Sequence, residues 1–281
     1  MGRGIRSRLP ALLALALPTS AGLAYLYFAG APQRFILVNA AALVIGLLFA
    51  GSLRAPASMQ VRRIVIIAML ATLFLPLVTG PSLDGVNRWL PIGPFKLHSG
   101  SLFLPAILAL MTRHENAMAP ILLACILAGL LQPDAAIGFA IVFAAVGLHD
   151  VTRDWRIGLV CILGFVAALV MAVRGNPPPQ EFVERVLVTS AAYSLPLALL
   201  LFLSLVVSFF LILRAVPVAK ATRYALAGSL FGFTILSLMN NYPSVLVGYG
   251  AAPILGFGIG LGLAYGPRDD QGAIDKVSTS R

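Results

Sequence analysis

Acidic side chains are rare in this sequence: ten Asp and Glu among 281 residues, beside 20 Lys and Arg. Charged residues make up only 11% of the chain, against roughly 25% in an average soluble domain. Hydrophobic residues make up 59%. A soluble core of this size cannot hide that much apolar surface, whereas lipid can. Cysteine is also scarce. Cys125 and Cys161 both sit inside apolar runs, which excludes a disulfide framework and metal-ligand spacing. They read as small packing residues. The three histidines, His98, His114 and His149, are scattered, and the H-E-x-x-H, Walker, G-x-S-x-G and dinucleotide fingerprints are missing. No charged residue lies deep inside an apolar run. That argues against a proton-driven carrier, because ion-coupled transporters place ionisable groups near the bilayer midplane. The ten-residue alternation of a membrane barrel is absent as well.

What remains is long apolar runs, and these imply an all-α polytopic membrane protein. A spanning segment must satisfy its own backbone hydrogen bonds, and a helix does so within one segment. Ten runs qualify: Leu12–Ala29, Phe35–Leu53, Ile64–Val78, Leu102–Met111, Met118–Leu131, Ala135–Gly147, Ile157–Val173, Val186–Leu213, Tyr224–Met239 and Leu246–Tyr265. Runs four and six are short for a hydrocarbon core of about 30 Å. They are expected to extend into flanking residues or to be partly re-entrant. Run eight is long, and its start reads as an interfacial helix. Residues 1–266 then form a single transmembrane domain, and residues 267–281, "PRDDQGAIDKVSTSR", form a disordered cytoplasmic tail.

Lys and Arg placement sets the orientation. With ten spans and the N-terminus inside, Arg34, Arg88, Lys96, Arg174 and Arg185 fall outside, and the other fifteen of the 20 basic residues fall inside. The expected location is the bacterial inner membrane, with both termini cytoplasmic. The net charge of +10 is then a topology signal and gives no reason to expect nucleic-acid binding. The first 31 residues also read as a signal peptide, whose removal leaves nine spans; ten spans fit the charge bias.

The polar chemistry gathers on the outer side. "DGVNRWLPIGPFKLHSG", Asp84 to Gly100, separates two apolar runs. Gly85 and Gly93 permit turns, Pro91 and Pro94 stiffen the backbone, and Trp89 suits the headgroup interface. From the residues alone this is an interfacial loop whose Arg88 and Lys96 meet lipid phosphates. Asp134, after Pro133, reads as the N-terminal cap of run six.

The motif "GVNRWLPIGPFKL" is similar to the G-x-x-R-W signature of the FtsW/RodA/SpoVE, or SEDS, family of cell-wall synthesis proteins. "LLQPDAAIGFAIVF", with Gln132, Pro133 and Asp134, resembles the family's Q-P-D stretch between spans five and six. "NNYPSVLVGYGAAPIL", with Asn241, Pro243, Tyr249 and Gly250, resembles the stretch leading into the last span. The three motifs occur in the family's order, and the resemblance runs from about Ile64 to Tyr265.

The resemblance implies a role in bacterial peptidoglycan synthesis, cell division or cell shape. It implies a glycosyltransferase polymerising a polyprenyl-linked disaccharide-peptide, lipid II, at the outer face beside a class B penicillin-binding protein. Such a reaction needs a base for the acceptor hydroxyl. It also needs positive charge or a divalent cation for the leaving diphosphate; no other cofactor is implied, and no metal-ligand set is read from the sequence. The family's essential Asp lies in an H-T-D-F stretch of a long loop between spans seven and eight. Here that loop is only "RGNPPPQEFVER" and the stretch is absent. Distance to span eight puts the position at Glu184, by spacing only. The candidate substrate contacts are Arg88, Trp89, Lys96, Asp134, Arg174 and Arg185. Two alternatives stay open: a non-catalytic scaffold for cell-wall synthesis partners, and a transporter of lipid-linked precursors.

Overall fold

The ten apolar runs all become helical in the computed structural model, which describes residues 2–82, 85–175 and 178–266. The predicted tail, Asp84 and Pro177 lie outside the described residues. In chain order the elements are α1 (Gly2–Phe28), α2 (Gln33–Ser52), α3 (Met59–Phe74), the short α4 (Pro76–Thr79), β1 (Trp89–Ile92), β2 (Phe95–His98), α5 (Ser99–Met111) and α6 (Met118–Leu131). They continue with α7 (Ala135–Thr152), α8 (Trp155–Arg174), α9 (Val186–Tyr193), α10 (Leu195–Phe210), α11 (Lys220–Met239) and α12 (Ala251–Ala264). Among the described residues, six helices are long and apolar enough to cross a membrane: those built on α1, α2, α3 with α4, α7, α8, and α10 with its π-helical end at Leu211–Ala215.

Run six gains length at its C-terminal end, so α7 has 18 residues. Run four begins earlier, at Ser99, yet α5 has only 13 residues and α12 only 14. Both are shielded by neighbours. Nearly every residue of α5 and most of α12 are buried, whereas α2, α3, α8 and α10 expose Leu, Ile, Val and Phe outward. The apolar surface thus faces out, which lipid tolerates and water does not. Run eight breaks where an interfacial start was expected. Ser194 is extended (φ −158°, ψ 110°) between α9 and α10, and Pro196 has no N–H to continue the α9 ladder.

Apolar side chains gain no hydrophobic energy against each other in lipid, so close backbone approach holds such helices together. The α11–α7 contact shows this. A Cβ at Gly228 or Gly232, one turn apart, would collide with the carbonyl oxygens of Phe143 and Phe139. The α12 helix uses glycine on two faces. Gly256 and Gly260 lie against Ser101 and Pro105 of α5, and Gly258 and Gly262 against Gly46 and Phe49 of α2.

The connections gather at two ends. At one end, the described parts of the 80–98, 132–134, 175–185 and 240–250 segments meet. At the other, Arg8 of α1 donates to the carbonyls of Ala50 (2.6 Å) and Leu53 (2.9 Å), and Ala55 N–H donates to Tyr265 O (2.7 Å).

The composition of the 84–100 stretch predicts a loop; the structure has an antiparallel hairpin with Trp89 opposite His98 and Ile92 opposite Phe95. Gly93, at φ +57°, takes the left-handed first position of a two-residue turn, and Pro94 follows with its fixed φ. The strands are too short for their pattern to stand out from turn residues.

Candidate functional site: a buried charge cluster beneath the hairpin

Arg88 stands immediately before β1. Its carbonyl accepts the Ser99 N–H (3.1 Å), which closes the base of the hairpin. Its side chain turns inward and is 0% exposed. The expectation of an arginine at the loop surface is therefore corrected. The guanidinium lies between the rings of Trp89 (4.8 Å) and Tyr242 (4.5 Å), because the 240–250 segment folds over it. Its nearest carboxylate oxygen is Oε1 of Glu184, at 4.0 Å. None of its three nitrogens has a hydrogen-bond partner. A buried, incompletely satisfied charge is costly, and such a group attracts an anionic oxygen.

Glu184 reaches this place through backbone pairing. It bridges Pro243, while Ser244 N–H donates to Val183 O (2.9 Å) and Val186 N–H to Ser244 Oγ (2.9 Å). Phe182 and Arg185 take left-handed backbone conformations on either side, tight bends that let a short loop turn the carboxylate inward. Glu184 Oε2 accepts the Gln180 N–H at 2.9 Å. Burial pushes its pKa up, and the Gln180 bond with the charges of Arg88 and His98 only partly offsets this.

Asp134 caps α7 as expected, Oδ1 accepting the Ala136 N–H at 3.0 Å. Its Oδ2 lies 3.1 Å from His98 Nε2. Burial alone would raise the Asp134 pKa, but the charge and hydrogen bond of His98, with the Arg88 charge, overcome it and hold the carboxyl below its ordinary value. The other ring nitrogen of His98, Nδ1, accepts the Ser101 N–H (3.1 Å) and caps α5. A neutral ring then carries its proton on Nε2. Nδ1 is thus engaged, while Nε2 faces Asp134 Oδ2.

Tyr242 locks the cluster. Its hydroxyl donates to Gly175 O (2.8 Å) and accepts the Ala135 N–H (3.0 Å), which joins the ends of α8 and α7. Burial raises its pKa to about 12, so it stays protonated. Behind it, Gln132 Nε2 donates to Leu73 O and ties the motif to α3. From α2, Asn39 donates to Gly248 O (2.9 Å) and accepts the Gly250 N–H (3.0 Å).

Beside the cluster lies a cavity of about 300 Å³ between the hairpin, the 180–183 segment and the start of α12. Trp89, Lys96, His98, Gln180, Val183 and Tyr249 contribute to its wall. Of the residues expected from the sequence, Arg88, Trp89, Asp134 and Glu184 converge, and exposed Lys96 reaches the adjoining cavity. Arg174 and Arg185 are exposed and outside the cavity lining, and Glu184 forms its ion pair with Arg88 instead. His98 and Tyr242 are the members that site reasoning missed. His98 opens "HSGS" as a helix cap, a faint signal; Tyr242 had none, because its partners lie 67 and 107 positions away.

Among the described residues no group of three His, Cys, Asp or Glu is arranged to hold a metal ion. Asp134 and Glu184 already serve backbone donors and cations, so the donor set does not fit a protein-held divalent ion.

No family model matches the chain, and no curated protein matches it significantly. Solved structures do. The rod shape determining protein RodA of Thermus thermophilus aligns at 19% identity and TM-score 0.61, covering 90% of this chain and 94% of that one. A substituted form of the same protein aligns at 17% and 0.60, with the same coverage. A chain from a structure titled as the structural coordination of polymerization and crosslinking by a peptidoglycan synthase complex aligns at 19% and 0.61, covering 90% and 95%. Over nine-tenths of its length, this chain has the fold of RodA.

Proposed function

We propose that this chain is a SEDS-type membrane protein of bacterial peptidoglycan synthesis that transfers sugar from a polyprenyl diphosphate donor at the outer membrane face. The RodA fold supports the process, and the three motifs lie on the end of the bundle that holds the charge cluster. One observation carries the catalytic reading: Glu184 is a carboxylate with a raised pKa, poised at 4.0 Å from a buried arginine that has no hydrogen-bond partner. A general base works best with a pKa drawn toward the working pH, and an unsatisfied guanidinium suits a diphosphate.

The acceptor hydroxyl attacks the anomeric carbon, Glu184 takes its proton, and the bond to the diphosphate oxygen breaks. Lys96 in the cavity wall meets the departing charge, and Arg88 joins when the Trp89 ring turns aside. His98 and Asp134 hold the hairpin and α7 in register. A class B penicillin-binding protein is the proposed partner, since one chain with this fold belongs to a peptidoglycan synthase complex.

A second reading, a non-catalytic scaffold, is favoured by the depth of the cluster: Arg88 and Asp134 are fully buried and Glu184 is 6% exposed. Reconstitution with lipid II and a divalent salt, with and without a class B penicillin-binding protein, separates the two. Polymer from wild type and none from Glu184→Gln supports the enzyme and the base. Polymer from both moves the base elsewhere. No polymer in any arrangement removes the polymerase reading.

A further inference from the structure

From Phe35 to Ala50, α2 is apolar except at Asn39, whose side chain is fully buried. A polar side chain inside a spanning helix is costly and marks a functional position. Asn39 spends its amide on one short segment: Nδ2 donates to Gly248 O (2.9 Å), and Oδ1 accepts the Gly250 N–H (3.0 Å). Tyr249 lies between those two residues. One turn before Asn39, Phe35 stacks on the Tyr249 ring, with centroids 3.8 Å apart and planes 12° apart. The Tyr249 N–H donates to Phe182 O (2.6 Å), and the Phe182 ring lies against those of Phe35 (6.4 Å) and Tyr25 (6.2 Å). The backbone and ring of Tyr249 are thus fixed before anything binds, which lowers the ordering cost of a contact.

The residue held this way faces a space for a ligand. Tyr249 lines the cavity of about 300 Å³ beside the charge cluster, with Trp89, Lys96, Gln180 and Ser244. Among the described residues, the contacts that hold Tyr249 use its backbone, its flanking residues and its ring face; its hydroxyl takes no part. Tyr242 is the opposite case, because its hydroxyl is spent on Gly175 O and the Ala135 N–H. An apolar ring with a polar tip suits a ligand that is itself apolar on its faces and polar at its edge. A sugar ring is such a ligand, with C–H faces and hydroxyls around it. A polyprenyl chain offers no hydroxyl, and a diphosphate is drawn to cations.

We propose that Tyr249 binds a sugar ring of the lipid-linked substrate in this cavity, and that Asn39 and Phe35 are positioning residues that act through it. The inference rests on the proposed sugar-transfer reading. It adds a contact that recognises the sugar, separate from the basic groups that meet the diphosphate.

The test uses the full chain and its own fluorescence. The chain has two tryptophans. Trp89 lines the cavity, and the exposed Trp155 stands at the end of α8 away from the cluster. Trp155→Phe therefore leaves one reporter, in the cavity wall. Lipid II and the same polyprenyl diphosphate without sugar are titrated separately into this parent and into its Tyr249→Phe and Asn39→Ala derivatives. Tyr249→Phe keeps the ring that Phe35 stacks on, so the fold is retained. The parent should bind lipid II more tightly than the sugar-free ligand. Tyr249→Phe should weaken lipid II about three- to tenfold, and Asn39→Ala at least as much. Both should leave the sugar-free ligand unchanged, whereas a merely loosened fold would weaken the two ligands together. Equal affinity of the parent and Tyr249→Phe for lipid II overturns the inference and leaves the transferase reading standing. A loss shared equally by both ligands, or a parent that binds them equally, does the same. Parent-like binding by Asn39→Ala overturns its positioning role. A parent that binds neither ligand, by fluorescence and by native mass spectrometry, removes the inference and the transferase reading together.

Discussion

The two ends of this bundle each combine arginine with a buried histidine, but the surrounding groups differ. Beneath the hairpin, Arg88 and His98 face Glu184 and Asp134, and Tyr242 covers them. At the opposite end, Arg62, Arg63, Arg113 and the exposed Glu115 line an open cavity, and among the described residues His114 has no hydrogen-bond partner. The first end answers most of its charge with its own chain. The second spreads its charged groups around an open cavity. Charge that is answered internally stabilises loops and shifts pKa values.

The largest effect expected from breaking this contrast is at Arg88. Arg88→Ala leaves Glu184 and Asp134 buried without their cation and should cost about 3–5 kcal/mol, read as a large drop in the midpoint of thermal unfolding. Arg63→Ala at the other end should leave that midpoint unchanged. A double variant, Arg88→Met with Glu184→Gln, should recover much of the loss if the pair is the cause.

On the proposed reaction, Glu184→Gln should lower polymerisation of lipid II by about a hundredfold or more with the protein still folded, since the amide keeps an oxygen for the Gln180 N–H and towards Arg88. A variant that polymerises as well as wild type would return Glu184 to a structural role.

The two carboxylates give opposite pH signatures. Asp134 has a lowered pKa, so its stabilisation is full above the ordinary aspartate range and is lost as pH falls below that range through the lowered folded-state value. Glu184 has a raised pKa, so the folded state holds its proton more tightly, and stability falls as pH rises through the window above the ordinary glutamate value. Unfolding midpoints against pH should lose the acid-side decline in Asp134→Asn and the upper decline in Glu184→Gln. On the proposed reaction, activity should rise with pH through that same upper window, because Glu184 would act as base when deprotonated.

The smallest effect belongs to Tyr242→Phe. It removes the hydroxyl that joins Gly175 to Ala135 and should cost about 1–3 kcal/mol by leaving buried backbone groups without partners. Hydrogen exchange should quicken at the start of α7 and not around His114.

Hydropathy made the helices legible, because lipid demands long uncharged segments with internally satisfied backbones. The ten runs and the helical ranges agree within about five residues, apart from α1, which begins at Gly2 rather than Leu12, and the break at Ser194, whose local signal was Pro196. The short α5 and α12 show the limit. Their sequences read as truncated spans, and their burial by neighbours explains how short helices are accommodated. At the site, Glu184 was placed by spacing and Asp134 as a cap. Arg88 was singled out but assigned to the surface, since nothing in "NRWLP" reveals that Tyr242 closes over it from 154 positions away.

By itself, then, the sequence determined a membrane-embedded helical chain, the order of its motifs and the identity of its few charges. These are local properties, set by the hydrophobicity and backbone demands of each segment. The tertiary structure decided which charges are buried and which are answered. Those outcomes depend on contacts between segments far apart in the chain, where a few ångströms separate an ion pair from an unpaired charge.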